Sequence, residues 1–106
     1  MSNKLSQKEL VSAILTKYPD RIPAFVSFPE DIIVKQNKYL IPKEYTVGEF
    51  SNYMRKKISL TKTQGMLIIV GNTLPIMSDT IDTIYRLYKD KNGMLQIKIQ
   101  VENTFG

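Results

Sequence analysis

The spacing of polar and apolar positions changes period several times along the chain, and each change marks an element. The segment KYLIPKEYTVGEFSNYMRKKISL, Lys38 to Leu60, carries the most information. Lys38-Tyr39-Leu40-Ile41 is a short β-rich run, and Pro42 ends it because proline brings no N–H to a ladder. Thr46 and Glu49 stand at capping-box spacing, where a hydroxyl and a carboxylate satisfy two orphan backbone donors. Tyr45 and Phe50 hold the staple positions on either side of that cap. Val47, Phe50, Met54 and Ile58 then share one helical face. Arg55-Lys56-Lys57 fall in the last turn, where cations suit the helix dipole.

The flanking segments are read in the same way. Ser6 to Thr16 predicts a helix, with Ser6 and Glu9 as a second capping box and Leu5 with Leu10 as a second staple. Its apolar stripe, Leu10, Val11, Ile14 and Leu15, is expected to be core. Tyr18-Pro19-Asp20 reads as a turn. Arg21 to Phe28 predicts the first strand, with Ile22, Ala24, Val26 and Phe28 on one face and Arg21, Pro23, Phe25 and Ser27 on the other. Pro23 implies a position that needs no ladder donor on its side. After Pro29-Glu30-Asp31, the short run Ile32-Ile33-Val34 reads as a backward extension of strand two.

Beyond the long helix, Ser59 to Gly65 is a polar linker. Met66 to Val70 is a continuous apolar run, expected to be a strand buried on both faces. Gly71-Asn72 signals a turn. Ser78 or Asp79 is the expected cap of a last helix with Ile81, Ile84, Tyr85 and Tyr88 inward. Asp90 to Gly93 reads as a loop. Met94 to Val101 alternates clearly, with Leu95, Ile97, Ile99 and Val101 inward. The order is helix, then β-β-α-β-α-β. These are the parts of an α+β, β-grasp (ubiquitin-like) fold: a four-stranded mixed sheet with an N-terminal helix added. Strand four is expected centrally beside strand one, and the first helix on the face that the crossing helix leaves open.

Composition narrows the chemistry. The 106 residues, 42% hydrophobic, suit one domain spanning 1–106, with a helical extension over about 1–17 and a polar tail over about 102–106. Cysteine and histidine are both absent, which removes thiol nucleophiles, imidazole bases and nearly all zinc sites. No Gly-rich phosphate loop is present, so neither an enzyme nor a cofactor or metal site is expected. The net charge of +5 is spread along the chain. Aromatics do not alternate with it as in an RNA-reading sheet, and no nucleic-acid partner is expected.

Several motifs then occur together: Lys17-Tyr18-Pro19-Asp20-Arg21-Ile22-Pro23; Lys38 to Pro42; Thr46-Val47-Gly48-Glu49-Phe50; Met54 to Leu60; Gly71-Asn72-Thr73-Leu74-Pro75; and the ending Phe105-Gly106. In this order and spacing, from Ser6 to Gly106, the chain resembles the lipid-conjugated autophagy modifiers, the family of GABARAP and the microtubule-associated light chain. The resemblance implies conjugation through Gly106. Its carboxylate would be exposed by a cysteine protease, adenylated, passed as a thioester between an activating and a transferring enzyme, and joined to the amine of phosphatidylethanolamine. A glycine suits an extended tail threading a narrow channel. Linkage to a protein lysine, or an unconjugated adaptor of the same fold, are the alternatives. The resemblance places the chain in the cytoplasm and, once lipidated, on the autophagosomal membrane.

It also implies a docking groove for the aromatic-x-x-aliphatic motifs of cargo receptors and adaptors, used by strand addition to strand two. The first pocket would be Ile14, Pro23, Phe25, Lys38, Leu40 and Met94. The second would be Tyr39, Ile41, Pro42, Tyr45, Phe50 and Tyr53. Lys17, Arg21, Lys38 and Arg55 would meet acidic flanking residues. The chain departs from the pattern in places. Its segment before Lys17 and its loop around Pro29 to Val34 are shorter, Leu10 replaces an acidic residue, and Gly93-Met94 replaces an aromatic pair. Both Leu40→Ala and Tyr39→Ala are expected to weaken peptide binding with the fold intact.

Overall fold

The structure, a computed structural model, describes residues 5–103. Its elements are α1 (Gln7–Lys17), β1 (Arg21–Ser27), β2 (Lys38–Pro42), α2 (Val47–Lys57), β3 (Gln64–Ile69), α3 (Ile81–Tyr88) and β4 (Leu95–Asn103). The strands form one mixed sheet in the order β2-β1-β4-β3. β1 runs antiparallel to β2, with Ala24 opposite Tyr39, and parallel to β4, with Ala24 opposite Leu95. β3 lies antiparallel to β4 on the other edge. This is the β-grasp arrangement, and β4 is central beside β1 as its alternation predicts.

The two faces of the sheet carry different cores. Ile22, Ala24, Val26, Ile41, Ile68, Leu95, Ile97 and Ile99 pack with Val47, Phe50 and Met54 of α2 and with Ile81 and Ile84 of α3. On the opposite face α1 covers β1, where Val11, Pro23 and Met94 are buried outside that cluster. The stripe expected to make α1 a core helix is correspondingly thin. Val11 is buried, Ile14 and Leu15 are half-buried, and Leu5 and Leu10 are exposed. One strand's width is too narrow to cover the whole stripe.

Both capping boxes form. Ser6 and Thr46 accept the N–H of Glu9 and Glu49, and each glutamate accepts the cap's N–H in return. The last helix is capped by Thr80, not by Ser78 or Asp79. Those two residues belong to a segment tied to the start of α2: Val47 donates to the Asp79 carbonyl (2.8 Å), and Gly48 to that of Met77 (2.9 Å). A Cβ at Gly48 would lie 3.3 Å from the Met77 oxygen, so glycine permits this approach.

Further departures follow from position in the sheet. β3 is an edge strand and begins at Gln64, inside the expected linker; Met66 and Ile68 are buried, while Leu67 and Ile69 are half-buried. Ile32-Ile33-Val34 does not extend β2 but lies in the β1–β2 loop. Glu102 and Asn103, expected in the tail, pair with Gly65 and Gln64. Tyr88 ends α3 partly exposed, its ring against Gly71 rather than in the core cluster. Pro23 sits in a central strand without losing a ladder bond. Val26 donates its N–H to Asn37 on the β2 side, so by alternation the Pro23 nitrogen faces β4, where pairing begins only at Ala24.

Met54 is fully buried between α2 and the sheet. Met54→Ala is expected to cost about 2–5 kcal/mol, whereas Thr46→Ala, which removes one cap, should cost about 1 kcal/mol. Urea denaturation of the two variants checks the ranking; equal losses would contradict the packing described.

Candidate functional site

β2 has a β1 partner on one side and no strand on the other among the described residues. Ile22, Ala24 and Val26 direct their backbone groups toward β2, so Tyr39 and Ile41 meet them, while Lys38 and Leu40 turn theirs outward. The side chains alternate as well. Tyr39 and Ile41 point into the α2 face and are buried, at 8% exposure for Tyr39, whereas Leu40 on the α1 face is 36% exposed. A free edge thus runs between two differently built faces.

A cleft lies on each. On the α1 side, about 360 Å³ is enclosed by Ile14, Pro23, Ala24, Gln36, Lys38, Tyr39, Leu40 and Met94. On the α2 side, about 270 Å³ is enclosed by Arg21, Tyr39, Leu40, Ile41, Pro42, Tyr45, Phe50 and Tyr53. Of the residues expected in the first pocket, Ile14, Pro23, Lys38, Leu40 and Met94 come together, and Phe25 does not line it. Phe25 pairs with Lys38 and Gln96, two register positions nearer the β1–β2 loop than Pro23. The second set, Tyr39, Ile41, Pro42, Tyr45, Phe50 and Tyr53, is assembled in one wall. Tyr39 and Leu40 line both clefts and form the divide.

The expected basic rim divides. Arg21 lines the second cleft and reaches the outward Leu40 carbonyl at 3.5 Å. Lys17 ends α1 with its ammonium 5.5 Å from the Tyr18 ring, outside both cleft walls. Arg55 is committed elsewhere: its guanidinium donates to the Gln64 carbonyl at 3.2 Å, joining α2 to β3. Gly106 and Phe105 lie outside the described residues.

Two residues absent from the expected set shape the edge. The Gln36 amide donates to the Lys38 carbonyl at 2.7 Å and so occupies one outward acceptor of β2. Lys57 donates to the Gln36 side-chain oxygen at 3.2 Å and lies 4.8 Å from the Tyr39 ring and 5.6 Å from that of Tyr53. Hydrogen bonding to Tyr39, opposed by desolvation and aided by Tyr53, holds the Lys57 ammonium above its ordinary pKa. Period-two spacing of Gln36, Lys38 and Leu40 and the i,i+4 spacing of Tyr53 and Lys57 are the signals that point to them.

Met94 is positioned by the preceding loop. The Asp90 carboxylate accepts the N–H of Asn92 (2.8 Å) and of Met94 (3.0 Å) and the Gln96 amide (2.9 Å). The Tyr85 hydroxyl donates to the Gly93 carbonyl at 2.6 Å. Desolvation pushes the Asp90 pKa up, but these hydrogen bonds outweigh it and leave it below the ordinary value.

The arrangement of strands and helices is shared with known proteins. Residues 6–106 match the family described as "Autophagy protein Atg8 ubiquitin like". The chain belongs to the Atg8 family. Among curated relatives, Autophagy-related protein 8c of Arabidopsis thaliana is 37% identical over 110 residues, covering 100% of this chain and 92% of the relative. Autophagy-related protein 8d of the same plant is 41% identical over 96 residues, covering 88% and 80%. The crystal structure of Trypanosoma brucei ATG8 superposes with a TM-score of 0.82 at 29% identity, covering 94% of this chain and 89% of that one. As an Atg8-family protein, the chain is a ubiquitin-like modifier of autophagy.

Because the folded-state pKa of Asp90 is depressed, its contribution to stability is present above the unfolded value of about 3.9 and is lost as pH falls through the folded value. Asp90→Asn is expected to flatten that acid limb of the stability profile. Thermal unfolding between neutral and acid pH, compared with the unaltered chain, provides the check; superimposable acid limbs would remove Asp90 from this role.

Proposed function

We propose that this Atg8-family chain is conjugated through the Gly106 carboxylate to phosphatidylethanolamine. On the autophagosomal membrane it then acts as a docking platform for aromatic-x-x-aliphatic segments of cargo receptors and adaptors. The observation that carries the docking part is the free β2 edge between two clefts on opposite faces of the sheet. Residues three apart on an extended segment project to opposite faces. A segment added to β2 therefore sends its aromatic side chain into the α1-side cleft and its aliphatic side chain into the α2-side cleft. Its backbone takes the outward N–H and C=O groups of Lys38 and Leu40 in place of the Gln36 and Arg21 side chains. Arg21, Lys38 and Lys17 supply positive charge to acidic flanking residues.

The conjugation part rests on the family and on the Phe105-Gly106 sequence. The chain contributes a carboxylate, and the catalytic thiols belong to its partners: an activating enzyme, a transferring enzyme and a cysteine protease that processes and releases it. ATP adenylates the carboxylate with loss of pyrophosphate. A thiol displaces AMP to give a thioester, and the lipid amine displaces the thiol to give an amide. The unconjugated protein is cytoplasmic on this reading.

Leu40→Ala is expected to weaken binding of a motif peptide by about 1–3 kcal/mol, with the thermal transition nearly unchanged because Leu40 is exposed. Tyr39→Ala is a poorer probe than its sequence position implies, since Tyr39 belongs to the buried cluster and its loss unsettles the fold. Titration calorimetry decides the matter; an unaltered isotherm for Leu40→Ala would refute the groove. For conjugation, the chain is incubated with the family's two conjugating enzymes, ATP and phosphatidylethanolamine vesicles, and its mass is measured. A lipid adduct at Gly106 is expected, and an isopeptide to lysine would transfer the reading to a protein-linked modifier.

A further inference from the structure

Ile33 is 96% exposed in the middle of the apolar run Ile32-Ile33-Val34, which the sheet does not use. The run sits in an open groove with Asp31, Lys35, Lys57, Ile58 and Ser59. Its place in the fold gives this exposure a meaning. Because β1 and β4 are parallel, the loop that follows Ser27 lies at the same end of the sheet as the end of β4. The contacts trace that end without a gap. Lys57 and Ile58 share the groove with Ile33, Arg55 of the same helix donates to the Gln64 carbonyl, and Gln64 pairs with Asn103. The Gln64 amide also donates to the Asn103 side chain at 3.2 Å.

Resting on the conjugation proposed at Gly106, we infer that this loop is a second membrane contact, with Ile33 seated among the acyl chains of the bilayer. Residues 104–106 span at most about 10 Å, so a lipid joined there holds this end of the sheet against the headgroups. Among the described residues Ile33, flanked by Ile32 and Val34, is the most exposed large apolar side chain, and it stands at that end. The neighbouring charge is mixed: Lys35 and Lys57 line the groove together with Asp31. Apolar insertion is therefore the main contribution. Neutral phosphatidylcholine supports it, and added phosphatidylserine strengthens it through the lysines.

The absence of cysteine allows single-site labelling. The full chain, with a histidine tag after Gly106, is tethered to vesicles carrying a nickel-chelating lipid, so no conjugating enzyme is needed. An environment-sensitive fluorophore on Ile33→Cys should show blue-shifted, several-fold brighter emission on tethering to phosphatidylcholine vesicles, and more with phosphatidylserine present. The same label on Leu87→Cys, an exposed position of α3, should not respond. A label on Lys35→Cys should respond and lose its response when Ile33→Asp is added, a change that leaves the fold intact at so exposed a position. An aqueous spectrum at position 33 on tethered vesicles, or an equal shift at position 87, overturns the inference while leaving enzymatic conjugation as a separate result. A concentration-dependent shift without vesicles would assign the loop to a second copy of the chain and likewise overturn it. Failure of enzymatic conjugation with a positive label response would remove the Gly106 reading alone.

Discussion

The parallel pairing of β1 with β4 is the constraint on which the rest of the molecule depends. Parallel neighbours need a long connection, and here all the chain between Ser27 and Leu95 serves as that connection. β2, α2, β3 and α3 are therefore arranged around a pair formed by the first and last strands. Ala24, Val26, Leu95 and Ile97 are all buried at this junction. β2 and β3 can only add outside it, which makes both of them edges. One edge is left free between the two clefts, and the other explains why the apolar run at Met66 is only half covered.

The two-sidedness of the groove follows from the same geometry. α2 crosses one face of the sheet and α1 shields a single strand of the other. Alternation along β2 sends Tyr39 and Ile41 into a deep core and leaves Leu40 in a shallow one. Pro23 contributes to this asymmetry. Its missing N–H falls beyond the end of the β4 ladder, and its ring fills the space beneath α1. A residue that would break most central strands is here a wall of the α1-side cleft.

Much of this was legible in the sequence where local rules act alone. Two capping boxes, the alternation of Leu95 to Ile99 and the ending at Pro42 are short-range chemistry, and the structure follows them. The residues around the clefts were legible through family motifs, because no local signal brings Ile14, Pro23 and Met94 together. What escaped depends on tertiary placement. Phe25 has the same parity as Pro23, yet parity does not say how far along a strand a helix reaches. Arg55 looks like a surface cation until Gln64 is found beneath it. Thr80 caps α3, while the backbone just before it is drawn to the start of α2 through the Met77 and Asp79 carbonyls. Period-two spacing marks Gln36, but not the hydrogen bond that its amide donates to the Lys38 carbonyl from outside the strand.

The charge distribution follows from how little of it the fold uses. Among the described residues one ion pair forms, Arg86 with Asp82 at 3.0 Å, although the sequence carries 15 lysines and arginines against 10 acids. Exposed pairs contribute little to stability, so their scarcity costs the fold little. The cations instead hold neutral partners: Arg55 and Arg21 donate to carbonyls, and Lys57 lies over tyrosine rings and bonds an amide. Such contacts leave each cation's charge uncompensated by any acid. The surplus therefore remains a field at the surface, which the proposed docking segments and the proposed membrane contact would both meet. Lys57 faces both, because it bonds Gln36 at the edge of the first cleft and lines the groove that holds Ile33. Salt weakens long-range attraction at both surfaces alike, but it leaves untouched the shape of the clefts and the exposure of Ile33. If the groove and the loop bind as proposed, their selectivity comes from the apolar geometry, with the cations setting how readily a partner arrives.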